Sequence, residues 1–204
     1  MLYLAAVLTA GVLLLTTGGG AGGRPLLGVA ALVLWGGDAC HLLPRVWFLW
    51  RGGLGGARAA AALGAGKLIA SLTMTAFYLL LWQAALLRGA VAPAGATEAV
   101  YTLALSRALL CLLPQNRWAD RQPPPRWALW RNAPFVLLGL AVGLLLAMGL
   151  PPEDPLRGLW PAIMASFACY LPVILFAGRR PALGVLMLPK SCAYVAMLIA
   201  ALRA

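Results

Sequence analysis

The chain has few charged residues, and acidic ones are especially scarce. Of its 204 residues, 10% are charged and only 5 are Asp or Glu, while 63% are apolar and the mean hydropathy is +0.89. Soluble domains carry about 25% charged residues, so a water-soluble enzyme is excluded. The apolar content also excludes an intrinsically disordered chain. The class that remains is a polytopic integral membrane protein.

Sequence motifs for metal, nucleotide and nucleophile chemistry are also missing. The chain has 1 histidine and 4 cysteines, without the spacings of a zinc site, a Walker loop or a GxSxG elbow. The histidine-rich membrane hydrolases and ATP-driven mechanisms are therefore excluded, and we expect neither a metal nor a cofactor. The cysteines are predicted to be small buried hydrophobic side chains.

Positive charge is plentiful, with a formal net charge of +11. In an apolar chain this indicates contact with anionic lipid at the membrane surface rather than with nucleic acid. Fourteen of the basic residues are arginines, mostly near segment ends, whereas both lysines lie inside apolar segments.

Apolar runs predict an all-α fold, a bundle of about seven transmembrane helices in a single domain over residues 1–204. The runs are continuous and rich in Leu and Ala, unlike the alternating strands of a β-barrel. The first run lacks a basic amino-terminal region, so we expect a retained helix rather than a cleaved signal peptide. The runs are Met1–Thr17, Pro25–Trp47, Ala59–Leu87, Glu98–Leu113, Ala133–Leu150, Leu156–Gly178 and Ala182–Leu202.

Arginines in the loops predict the orientation in a plasma (inner) membrane. The loops after the second, fourth and sixth runs contain eight of them, against four on the opposite side, so the even loops are predicted to be cytoplasmic. The amino terminus is then cytoplasmic and the carboxyl terminus outside. The eight are Arg51, Arg58, Arg117, Arg121, Arg126, Arg131, Arg179 and Arg180, and the four are Arg24, Arg88, Arg157 and Arg203.

Two ionisable residues lie three apart in the second run, on one helix face. Asp38 is the only acid well inside a predicted helix, and His41 is the only histidine. Because a charged group inside a membrane is costly and marks functional sites, we assign this pair as the candidate catalytic residues, with histidine suited to proton transfer near neutral pH. The alternative is a structural pair that neutralises itself.

Cationic and polar residues of the later runs are the candidate substrate-binding residues. Lys67, Thr75 and Tyr78 lie on one face of the third run, together with Ser71, and Gly64 and Gly66 favour close helix contact there. Arg107 in the fourth run has a planar guanidinium group that suits carboxylate or phosphate. The alternative is a salt bridge from Arg107 to Asp38. The full set is Lys67, Thr75, Tyr78, Arg107, Tyr170, Lys190 and Tyr194.

Several cations around a single acid predict an anionic ligand. The first hypothesis is a cationic pocket that binds, and in one version hydrolyses, a lipid-like anion such as a lysophospholipid. The alternatives are a small anion or proton-coupled transporter and a non-enzymatic structural or assembly protein. Lys190 in the last run also resembles the lysine of retinal proteins, but the third run lacks an aspartate that could serve as its counter-ion. The oligomeric state stays open.

The layout resembles the YhhN-like lysoplasmalogenase family. The matching features are Gly37-Asp38 in the second run, Phe77-Tyr78 in the third, and Arg179-Arg180-Pro181 followed by Tyr194 at the last. The resemblance extends from about residue 30 to the end and implies a multi-helix membrane fold and a lysoplasmalogenase-like hydrolysis of a vinyl ether, in which Asp38 is one of the acids.

The chain departs from that family at two positions. The stretch Ser166–Pro172, where the family has a second aspartate, contains no acid, and Thr75 stands where the family has a histidine. The resemblance therefore supports the fold more than the activity.

Overall fold

Helices make up most of the residues that the structure describes. The computed structural model describes residues 1–17, 23–53, 55–120, 123–176 and 180–203. The chain is 84% helical, and no strand occurs in these ranges, in agreement with the predicted all-α class. The seven α-helices are α1 (Leu2–Thr16), α2 (Arg24–Trp50), α3 (Ala57–Leu87), α4 (Ala96–Leu112), α5 (Pro125–Leu144), α6 (Trp160–Phe176) and α7 (Met187–Leu202).

Within the described ranges, five helical stretches are long and apolar enough to cross a membrane, as expected of an integral membrane protein. They are Arg24–Trp50, Ala57–Leu87, Pro125–Gly149, Pro155–Phe176 and Ala182–Leu202, the last three including short 3-10 or π turns next to α5, α6 and α7. The remaining two helices are shorter, with 15 residues in α1 and 17 in α4. At 1.5 Å per residue they measure about 22 and 26 Å, below the roughly 30 Å of a hydrocarbon core.

The helices form a closed arrangement in chain order. Each packs on the next, and α7 packs back on α1. At one end the α3–α4 connection meets the α5–α6 connection through a hydrogen bond from the Val91 nitrogen to the Gly149 oxygen, 2.9 Å. We call this the odd-loop end. The α2–α3, α4–α5 and α6–α7 connections lie at the other end, which we call the even-loop end.

Small residues bring α2 and α3 close together, as the glycines of the third run predict. A Cβ atom at Gly66 would overlap the carbonyl oxygen of Cys40, and one at Gly37 would overlap the hydroxyl of Thr73. Because backbone atoms cannot move aside as a flexible side chain can, the helices reach this separation only with glycine at position 66. The contact fixes Asp38 and Lys67, one residue from Gly37 and Gly66, relative to each other.

The fifth helix begins eight residues before its predicted start at Ala133. Pro125 occupies its first position, where a missing N–H costs nothing. The predicted start was wrong because Pro134, one residue after it, lies inside α5 rather than at its beginning. As a result, Arg131 and Asn132 belong to a helix rather than to a loop.

Burial of the cysteines differs from the prediction as well. Cys111 is buried, but Cys40 and Cys192 are exposed. Arg121 and Arg179 of the predicted cytoplasmic loops and residues 18–22 of the first turn lie outside the described residues.

Candidate ligand-binding cavity

A cavity of about 530 Å³ lies toward the even-loop end of the bundle. Its volume falls within the 300–1,000 Å³ typical of small-molecule sites. All seven helices contribute to its wall. The polar and charged residues of the wall are Tyr3, Asp38, His41, Arg45, Lys67, Ser71, Arg107, Trp118, Arg131, Asn132, Tyr170, Lys190 and Ser191.

Positive charge dominates this wall. Five cationic side chains line the cavity, and Asp38 is the one carboxylate among the lining residues. Within the described ranges the carboxylate ion pairs lie elsewhere, at Arg88–Asp154 and Arg117–Asp120. The five cations are therefore neutralised only in part by the protein. They are Arg45, Lys67, Arg107, Arg131 and Lys190.

Arg107 is the most deeply buried of these cations, with 2% of its surface exposed. Its guanidinium lies flat on Phe135, with Cζ 3.3 Å from the ring centroid. The Nε and Nη1 atoms are buried without a hydrogen-bond partner. No ion pair joins Arg107 to Asp38, so the salt bridge considered from the sequence is not formed. A buried donor without a partner costs about 1–3 kcal/mol, and more when it is charged.

Arg131 enters the cavity wall because α5 starts early. Its guanidinium lies over the Trp118 ring at 4.3 Å and donates from Nη1 to the Asn116 side-chain oxygen at 2.9 Å. On the next residue, the Asn132 side-chain oxygen accepts a hydrogen bond from the Tyr170 hydroxyl at 2.7 Å. These contacts fix the arginine and the tyrosine on one side of the cavity.

Asp38 has a partner that the sequence did not suggest. The Tyr3 hydroxyl of α1 donates a hydrogen bond to its carboxylate at 2.5 Å, and Lys190 is near enough to interact with it electrostatically. Asp38 and His41 form no hydrogen bond with each other. The Nδ1 atom of His41 is buried without a partner, so the imidazole is not oriented by the carboxylate.

Six of the nine predicted site residues line the cavity: Asp38, His41, Lys67, Arg107, Tyr170 and Lys190. The other three form the next layer of the core, toward the odd-loop end. Thr75 donates to the Ser71 carbonyl at 2.9 Å, and the Tyr78 and Tyr194 hydroxyls are 3.3 Å apart. None of these three residues lines the cavity. Tyr78 and Tyr194 are buried in the core, and the Tyr194 ring contacts Lys190 of the wall, whose Nζ is 4.6 Å from the ring centroid.

Prolines lie inside three of the helices that form the wall. Pro44, Pro134 and Pro172 are internal to α2, α5 and α6. Each removes the N–H that would bond the carbonyl four residues earlier. A freed carbonyl inside a membrane is tolerated where it faces protein or a polar cavity, and all three prolines are adjacent to residues of the wall.

Sequence reasoning missed Tyr3, Arg131 and Asn132 as members of the site. Asn132 could have been predicted as a site residue, since asparagine is rare in apolar helices, but Pro134 two residues later favoured a loop. Tyr3 carried none, because its importance depends on the contact between α1 and α2.

No group of three or more His, Cys, Asp or Glu side chains comes together in the part of the chain that the structure describes. No family model matches the chain, and no curated protein or solved structure matches it either.

Proposed function

We propose that this integral membrane protein binds an anionic amphiphile in the cavity, with the anionic group on Lys67, Arg107 and Lys190 and the apolar part against the helices. The observation that supports this most is the buried guanidinium of Arg107, whose Nε and Nη1 lack partners. A bound phosphate or carboxylate supplies the acceptors that the protein omits.

The apolar side of the wall favours an amphiphile over a small soluble anion. Alongside the cations, the wall includes Leu42, Met74, Val173, Ile174 and Met187. Aliphatic side chains gain little from contact with a hydrated ion but bury apolar area against an acyl chain, at about 25 cal/mol per Å². The surrounding bilayer is a ready source of such molecules.

Hydrolysis of the bound amphiphile is the second step that we propose. Asp38 and His41 line the same cavity as the cations, and the free Nδ1 of His41 is available for proton transfer. The resemblance to YhhN-like lysoplasmalogenases motivates this step. Tyr3 then keeps the Asp38 carboxylate in position.

The proposal includes a layout in the plasma (inner) membrane. We propose that α1 and α4 cross as well, giving seven spans, with local bilayer thinning around the two short helices. The even-loop end, with Arg51, Arg58 and Arg126 exposed, is then cytoplasmic. In this layout the amino terminus is cytoplasmic, the carboxyl terminus is outside, and the cavity lies toward the cytoplasmic leaflet.

Binding is tested with the purified full chain in nanodiscs and the anionic lysophospholipid lysophosphatidylglycerol. We expect Arg107→Met to weaken binding by about 10- to 100-fold, the equivalent of one or two charge-assisted hydrogen bonds. The matched control is Arg58→Met, which removes one exposed arginine at the same end but outside the cavity. Equal binding by both variants contradicts the proposal.

Turnover separates the proposed hydrolysis from the other functions. The proposed reaction is hydrolysis of a vinyl ether by water, which releases an aldehyde, so the probe is a 1-alkenyl lysophosphatidylglycerol. Mass spectrometry should show aldehyde release that Asp38→Asn abolishes while binding persists. Anion flux into proteoliposomes that is lost in Lys67→Met and Arg107→Met, without cleavage, identifies a transporter. If neither binding nor flux changes in any of these variants, the polar residues serve helix packing alone.

A further inference from the structure

We propose that the ligand's head group is a phosphate monoester with no cationic part, so that zwitterionic lysophospholipids are excluded from the cavity. This inference rests on the proposed function and specifies its substrate class. It follows from three features of the wall: its charge balance, its aromatic faces and the unused donors of Arg107.

The charge balance disfavours a second positive charge in the ligand. Five cations and one carboxylate line the cavity, a formal excess of four positive charges with His41 neutral. A choline or ethanolamine group would add another cation at this wall. The single carboxylate, Asp38, already accepts a hydrogen bond from Tyr3 and interacts with Lys190.

The aromatic faces that would bind a quaternary ammonium are already occupied. Such groups are recognised by stacking over Trp, Tyr or Phe. Arg131 lies over Trp118 at 4.3 Å, Arg107 over Phe135 at 3.3 Å, and the Lys190 Nζ lies 5.5 Å from the Tyr170 centroid. Of the Phe, Tyr and Trp rings in the wall, Tyr3 remains without a cation, and its hydroxyl is bonded to Asp38.

The number of donors favours a monoester over a diester or a carboxylate. A phosphate monoester has three terminal oxygens and about −1.5 to −2 charges at pH 7, whereas a diester or a carboxylate has two such oxygens and one charge. Arg107 offers Nε and Nη1, both buried and unpaired, and Lys67 and Lys190 add an ammonium each. Only the monoester offers a third oxygen, and its charge offsets up to about half of the formal excess of four positive charges.

The test compares four probes on the purified full chain in nanodiscs: lysophosphatidic acid, lysophosphatidylglycerol, lysophosphatidylcholine and a fatty acid, all with the same acyl chain. We expect lysophosphatidic acid to bind about tenfold or more tighter than each of the others. The preference should shrink in Arg107→Met and Lys67→Met and persist in Arg58→Met. Glycerol 3-phosphate, which lacks the chain, should bind far more weakly than lysophosphatidic acid.

Each contrary outcome has a distinct meaning. Equal binding of lysophosphatidylglycerol, lysophosphatidylcholine or the fatty acid, still dependent on Arg107, overturns the monoester inference and leaves the proposed function standing. Equal binding of glycerol 3-phosphate identifies a soluble phosphate ligand and overturns the lipid source. If none of the probes binds, the proposed function itself fails.

Discussion

Two arginines, one at each end of the helix bundle, differ in their partners. At the odd-loop end, Arg88 forms an ion pair with Asp154 at 2.7 Å, with 14% and 10% of the two side chains exposed. At the same end, Arg24 donates to the Leu202 carbonyl that terminates α7, at 3.1 Å, while its Nε is buried without a hydrogen-bond partner. At the even-loop end, Arg107 lies deeper than either of them and has two nitrogens without a partner.

The difference shows what each arginine does for the fold. An arginine in an ion pair can stabilise the packing of two connections. Arg88 and Asp154 do so between the α3–α4 and α5–α6 connections. A buried cation with unpaired donors lowers stability in the absence of a ligand, since its desolvation is compensated only in part, for Arg107 by the face of Phe135. Incompletely paired buried charges are typical of functional sites, which supports the proposed ligand cavity.

Asp154→Ala should have the largest effect on stability. It breaks the ion pair to Arg88 and also removes the acceptor of the Leu156 N–H, 2.8 Å away. We expect the free energy of unfolding in detergent micelles to fall by about 2–4 kcal/mol. Glu153→Ala, an exposed neighbour, is the control and should change stability by less than about 0.5 kcal/mol. If Asp154→Ala lowers the free energy of unfolding by no more than Glu153→Ala does, the ion pair at the odd-loop end does not stabilise the fold and the contrast with Arg107 fails.

Arg107→Met should raise the free energy of unfolding, whereas Asp154→Ala lowers it. The methionine keeps contact with Phe135 and removes the uncompensated charge, so the ligand-free protein should gain about 1–2 kcal/mol of unfolding free energy. Denaturant titration in the same micelles measures this. The contrast between the ends disappears if the substitution destabilises the protein as much as Asp154→Ala does.

Tyr3→Phe should have the smallest effect of the three. It removes one hydrogen bond to Asp38 and leaves the aromatic ring, so stability should fall by about 1 kcal/mol. The proposed turnover should fall more than binding does, because Tyr3 orients the carboxylate and not the cations. Parallel measurements of lipid affinity and cleavage rate separate the two effects. An equal loss in both places Tyr3 in ligand binding instead.

The all-helical class and most of the cationic cluster are predictable from the sequence. Long apolar runs predict helices reliably, and a lysine or arginine inside such a run stands out against them. Asp38, His41, Lys67, Arg107 and Lys190 are therefore identifiable from the sequence, and the structure places all five in the wall of one cavity.

What the sequence could not supply depends on contacts between distant segments. The partner of Asp38 comes from α1, 35 residues earlier. The early start of α5 depends on Pro125 at its first position. Local sequence rules alone do not decide whether the helix begins at Pro125 or near Pro134. Thr75, Tyr78 and Tyr194 share helix faces with cavity residues, but side chains one turn deeper pack into the core.

The contact of α7 with α1 has a consequence for biogenesis. The cavity wall takes Tyr3 from the first helix and Lys190 from the last, so the site is incomplete until the final helix has left the ribosome and docked. In the proposed seven-span layout, α3 and α4 are synthesised before α7, so Lys67 and Arg107 reach the membrane before Lys190 is in place. A charged side chain inside a membrane is costly without neighbours that pair with it, so in that layout the site is complete only when the last helix docks on the first.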